Sequence, residues 1–311
     1  MTGRSNGKTL GSHARGSRDS APPKPFVTTL YQYPLGNWVE NIAIRASGEL
    51  LLTLLNTPHV DQIDPSLPDP TPVHVYDFTG VPRAASVLGI AEIDSDIFAV
   101  AVGNYSIETG ASEPGSWAVW RLDVAGGNEN NTDVHLIADM PEALLLDGMG
   151  PFVSGLVGVN GMRTDPADAS TLYFANIGQG VLARVAIDPT TEAATDKSEV
   201  VASIMDAHTM QYDDFAIRGD DIYLVTGAGN SIEKICLADG KPRGRVIVAG
   251  HLNSTEIAEP TSCAFGRTSA DEHVLYVVTA GGLAAPINGT VMVGAQVLAL
   301  DTRLWEEHCI Y

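Results

Sequence analysis

The sequence predicts an all-β protein whose sheets repeat around a common axis, a β-propeller. Three observations point there. A short inner-strand phrase recurs five times, as VENIAIR from Val39, VLGIAEI from Val87, VGVNGMR from Val157, YDDFAIR from Tyr212 and PTSCAFG from Pro260. Each phrase is followed by a hydrophobic strand: GELLLTLL from Gly48, DIFAVAVG from Asp96, STLYFANI from Ser170, DIYLVTGA from Asp221 and HVLYVVTA from His273. The connections are short and rich in Gly and Asp, with no amphipathic helix between them. A repeat of this size marks units that bury their faces against one another, and strand-only units of this length are propeller blades.

Element by element, four repeats continue into a third, alternating strand: WAVWRLDV from Trp117, GVLARVAID from Gly180, NSIEKICLAD from Asn230 and AQVLALD from Ala295. The segment Phe26 to Tyr33 (FVTTLYQY) precedes the first repeat and is expected to pair into the last blade, covering an otherwise open edge. Taking Glu40, Gly89, Asn160, Asp214 and Thr261 as equivalent positions, the second interval is the longest. It holds an extra phrase, LLLDGMG from Leu144, so the region Leu144 to Gly155 reads as a degenerate or shortened blade. Trp117 and Trp120 fall on a third strand and are assigned to packing. Residues 1–25 form a Gly-, Ser- and Lys/Arg-rich tail without an apolar run, expected to be disordered; residues 26–311 are expected to form one propeller domain.

Composition narrows the function. The chain has 18 Lys and Arg against 38 Asp and Glu, and five of the basic residues lie in the tail. Such a negative surface repels phosphate backbones and argues against a nucleic-acid partner. No apolar run reaches the ~20 residues of a membrane helix, and the N-terminus lacks the apolar core of a secretory signal, so a soluble, cytoplasmic monomer acting on small hydrophobic substrates is expected. Cys236, Cys263 and Cys309 make no framework; the first two are expected to pack as small apolar residues. The eight histidines show no metal-ligand spacing, and only His208 is placed near the axis. No GxGxxG, P-loop or GxSxG phrase occurs.

In a propeller the inner-strand ends meet at the axis. Glu40, Asn160 and Asp214 therefore project together, and two carboxylates with one amide suit a hard cation such as Ca²⁺. Trp38 and Asn41 flank the first inner strand, Asn104 and Tyr105 follow the second strand of the second repeat, Asn176 follows its counterpart, and Tyr212 with Asp213 opens the fourth phrase. Tyr105, Asn41, Asn104 and Asp213 are the candidate catalytic donors, and Trp38, Tyr212 and Asn176 the candidate substrate wall.

The phrases VENIAI, VNGM with STLYFANI, DDFAI with DIYLVT, and PTSCAFG with LYVVT resemble the six-bladed gluconolactonase and regucalcin propellers. The resemblance implies a six-bladed type of ring with one blade shortened or missing, and a metal held by Glu40, Asn160 and Asp214. The second inner strand departs from that family: apolar Leu88, Gly89 and Ile90 stand where the lactonases hold a polar sugar lactone. NWVENIAIR, GSWAVWRLD and PTSCAFGRT are closer to a fungal branch that includes hetero-Diels–Alderases of secondary-metabolite biosynthesis. Those enzymes join a tropolone-derived quinone methide to a terpene alkene. That resemblance implies a pericyclase with an apolar channel pocket and no required cofactor. The alternatives are a Ca²⁺-dependent lactone or ester hydrolase and a non-catalytic binding propeller.

Overall fold

The computed structural model describes residues 27–126, 132–140, 158–191, 193–206 and 210–305. They form five antiparallel, four-stranded sheets. The first blade is β2 (Val39–Ile44), β3 (Leu50–Leu54), β4 (His59–Ile63) and β5 (Val73–Asp77). The second is β6 (Ser86–Asp94), β7 (Ile97–Gly103), β10 (Ala118–Asp123) and β11 (Asp133–Asp139). A two-stranded hairpin, β8 (Tyr105–Ser106) with β9 (Ala111–Ser112), rises from its β7–β10 connection. The third is β12 (Val159–Thr164), β13 (Thr171–Asn176), β14 (Val181–Ala186) and β15 (Glu199–Ser203). The fourth is β16 (Tyr212–Arg218), β17 (Asp221–Thr226), β18 (Ser231–Ala238) and β19 (Lys241–Gly250).

The fifth blade, β20 (Pro260–Phe265), β21 (Val274–Thr279) and β22 (Gln296–Asp301), takes its outer strand from the other end of the chain. There β1 (Val27–Gln32) pairs antiparallel with β22. This is the closure expected of the Phe26 to Tyr33 segment, and it removes the exposed edge of β22.

Inner strands are neighbours in the order β6, β2, β20, β16, β12, and the core lies between blades. Leu51, Val87, Phe98 and Leu122 fill the junction of the first and second blades; Leu52, Ile63, Val278 and Val297 that of the first and fifth. Val225, Ile232, Val277 and Leu300 pack the fourth against the fifth, and Tyr173, Leu182, Phe215 and Leu224 the third against the fourth. Each of these four junctions covers faces that an isolated blade would leave exposed.

The described residues hold five blades, the reduced count expected of a ring with one blade shortened or missing, and no sixth blade is seen among them. The region Leu144 to Gly155, the tail 1–25, His208 and Cys309 lie outside them. Trp117 and Trp120 pack as expected. Trp120 meets Phe78 with ring centroids 5.9 Å apart, and Trp117 lies over Gly103, where a Cβ would stand 2.6 Å from its Cε3. Cys263 is a buried free thiol, but Cys236 is disulfide-bonded, which corrects its reading as simple apolar filling. Among the described residues no helix is long and apolar enough to cross a membrane.

Candidate functional site

All five inner strands carry a β-bulge at the same point. Pairing jumps from Val39 to Asn41, from Val87 to Ile90, from Val159 to Met162, from Tyr212 to Phe215 and from Pro260 to Ser262. Each jump leaves one more residue on the inner strand than on its partner. A bulge bends the strand and re-aims the side chains beside it. The residues passed over are Glu40, Leu88 with Gly89, Asn160 with Gly161, Asp213 with Asp214, and Thr261. The five sequence-equivalent positions all fall in these bulges.

The fourth and first bulges place carboxylates side by side. Burial pushes the Glu40 carboxyl up to about 7; the Trp38 indole opposes the shift, and the charges of Asp214 and Glu259 add to it. That indole donates to Glu40 Oε2 at 2.5 Å. Burial, then the charges of Glu40, Asp214 and Glu259, raise Asp213 well above the usual carboxylate range, and the Asn160 amide donates to Asp213 Oδ1. Glu40, Asn160, Asp213 and Asp214 are therefore brought together. Tyr105 joins them from the hairpin: burial and then the Glu40 charge raise its phenol, which leaves a neutral O–H donor at physiological pH.

Asp214 accepts three hydrogen bonds. Its Oδ2 accepts from Arg163 Nη2 and from the Ser262 hydroxyl, each at 2.6 Å, and its Oδ1 accepts from the Phe215 backbone at 2.8 Å. Gly161 makes this approach feasible, since a Cβ there would overlap Asp214 Oδ1 and stand 2.8 Å from its Cα. The Ser262 hydroxyl also lies 3.2 Å from the Asn41 amide oxygen, while Thr261 donates to the Val39 carbonyl at 2.7 Å. Inner strands are thus stitched to one another at the bulges.

Other candidates are engaged locally, Asn41 among them although it also lies beside Ser262. Tyr212 is fully buried, donating to Glu233 at 2.6 Å and accepting from Arg245. It locks a blade rather than lining the axis. Asn104 is tied to Glu113 of its own loop at 2.7 Å. The Asn41 oxygen caps the Ile42 backbone at 2.9 Å, and the buried Asn176 accepts from the Gln179 backbone at 2.9 Å.

Arg163, Ser262 and Glu259 were not expected. Arg163 closes the third phrase as Arg45 and Arg218 close the first and fourth. In the structure β12 begins at Val159, the residue matching Val39 and Tyr212 in its pairing, so Arg163 sits two positions nearer the bulge. Glu259 precedes its strand with φ of 53°, and its carboxylate is received by backbone N–H groups of residues 282–285, among them Ala284 at 3.1 Å. A polar residue just before the fifth phrase was its only sequence signal.

Comparison with known proteins follows the same lines. No family model matches the chain. A Sarocladium schorii protein, asR5, which carries the provisional name hetero-Diels-Alderase, is 27% identical over 358 aligned positions, covering 91% of this chain and 86% of its own. A Phoma protein of the same provisional name is 27% identical, covering 80% of this chain and 85% of its own. The chain resembles fungal hetero-Diels–Alderases. Among solved structures, the PQQ-bound aldose sugar dehydrogenase of Streptomyces coelicolor superposes with a TM-score of 0.60 at 16% identity, covering 90% of this chain and 99% of its own. A Bacteroides thetaiotaomicron protein provisionally named a phosphatase gives 0.61 at 12% identity, covering 89% and 78%. These place the chain among β-propellers and say nothing of its chemistry.

Proposed function

We propose that the chain is an enzyme of the hetero-Diels–Alderase kind, a pericyclase of fungal secondary metabolism. It would join a quinone-methide-type heterodiene to an alkene in an apolar pocket where the inner strands meet. The observation that carries this reading is the likeness to the Sarocladium schorii protein across 91% of the chain. Two features of the bulges agree with it. The second-blade bulge offers Leu88 and Gly89 rather than polar side chains, and a Cβ at Gly89 would meet nothing within 4 Å. Beside them stand Trp38 and Glu40 of the adjacent inner strand and Tyr105 of the second blade's own hairpin, an aromatic wall with proton donors.

Such a reaction consumes three π bonds and forms two σ bonds and one π bond, with no proton or electron entering or leaving. The protein therefore needs only to align the partners and polarise the heterodiene. Alignment can contribute as much as ~7–11 kcal/mol. A hydrogen bond from the Tyr105 phenol to the heterodiene carbonyl would strengthen as charge develops on that oxygen. Trp38 would supply a flat apolar face for the conjugated partner.

The test is incubation of the purified chain with a tropolone quinone-methide precursor and a terpene alkene, scoring rate and enantiomeric excess against buffer alone. A single enantiomer formed faster than in buffer is expected. Tyr105→Phe should lower the rate by roughly 10²-fold, the scale of losing one preorganised donor. Racemic adduct at the buffer rate would end the proposal.

A further inference from the structure

The third blade differs from the other four at one register position. Three residues back from the bonded pair that precedes the bulge, the partners are Ala43↔Leu51, Ala91↔Ala99, Arg163↔Tyr173, Ala216↔Tyr223 and Ala264↔Tyr276. Four inner strands carry alanine there and one carries arginine. Its guanidinium crosses to the neighbouring inner strand, pairs with Asp214 at 2.6 Å and passes 6.0 Å from the Phe215 ring centroid. The Asp214 side chain is 1% exposed and that of Arg163 36%.

The same carboxylate is the one a cation would need. A Ca²⁺ ion requires six to eight oxygens at about 2.3–2.6 Å. Asp214 accepts from three protein donors, Glu40 Oε2 accepts from the Trp38 indole, and the Asn160 amide nitrogen donates to Asp213. Among the described residues no group of three His, Cys, Asp or Glu side chains is placed to hold a metal. A divalent ion and a guanidinium cannot share one buried carboxylate edge, because their like charges repel where water screens them little. The trio Glu40, Asn160 and Asp214 therefore does not fit a cation as arranged.

We propose that Arg163 is a built-in cation that occupies the Asp214 carboxylate and so denies it to a divalent ion at the inner-strand bulges. It pairs with Asp214 from the junction of the third and fourth blades, beside the Phe215 ring. An arginine suits this better than a lysine, since it stays charged in every environment and its planar fork fits a carboxylate edge. The inference concerns ion binding alone and stands or falls independently of the cycloaddition.

Terbium(III) luminescence, sensitised through Trp38 beside Glu40, and calcium calorimetry test it on the full chain. Wild type is expected to give no axial signal at millimolar Ca²⁺. Arg163→Ala should bind with at least a tenfold gain in affinity, and Arg163→Ala combined with Glu40→Gln should lose that gain, which separates the axis from the acidic surface. Ca²⁺ binding by wild type as tight as by Arg163→Ala would overturn the proposal, and so would an Arg163→Ala protein that stays silent. If Arg163→Ala fails to fold, the wild-type melting temperature decides: a rise with millimolar Ca²⁺ that Glu40→Gln abolishes overturns it, and indifference to Ca²⁺ and to chelator supports it.

Discussion

Glu259 illustrates how one side chain can couple a strand to a loop and to pH. It adopts a left-handed φ of 53° that few non-glycine residues hold, and its carboxylate binds backbone N–H groups of residues 282–285. Burial nevertheless pushes it up to about 7, against an ordinary value of 4.5. The folded chain therefore holds this proton more tightly than the unfolded chain. Its contribution to stability is full below pH ~4.5 and is lost as pH rises toward ~7. Glu259→Gln keeps an acceptor for the loop and removes the titration. Urea unfolding from pH 4.5 to 8 should show wild type losing stability relative to this variant up to about pH 7 and then running parallel. Parallel curves throughout would contradict the assignment.

Strands in this protein owe their packing to small residues at close approaches. Gly103, at the end of β7, accepts the Trp117 indole on a surface where any Cβ would collide with the ring. Gly103→Ala should displace Trp117, cost about 1–3 kcal/mol as an overpacked site, and shift tryptophan emission to the red with loss of near-UV circular dichroism. An unchanged spectrum would show that the indole has another seat. Strand identity was legible at this scale because alternation and turn residues act locally: VENIAI, FAVAVG, TLYFAN and QVLALD all became strands. The first blade's third strand, HVDQI, was missed because it is short and mixes charge with apolar residues.

At the scale of the whole molecule, stability depends on joining chain ends that are distant in sequence. β1 completes the fifth blade, and just after it the Tyr33 hydroxyl donates to the buried Asp61 of β4 at 2.8 Å. Both burial and the Asp61 charge raise that phenol strongly. Asp61 is also held by His74 at 2.6 Å. Tyr33→Phe should destabilise the whole ring by about 1–3 kcal/mol, the cost of a buried acceptor losing a donor, in one cooperative unfolding transition. Loss confined to the fifth blade, seen as a separate early transition by hydrogen exchange, would mean that the blades unfold independently.

Local patterns in the chain were enough to determine the first two strands of every blade, the repeat positions and the return of the first strand to the last blade, because each follows from alternation, spacing or an edge that must be covered. They were also enough to bring Glu40, Asn160 and Asp214 to one place. What occupies Asp214 was decided only by tertiary structure. Arg163 reaches it because the neighbouring inner strand lies close, with Gly161 clearing the way, and no periodicity within one strand records what the next strand presents.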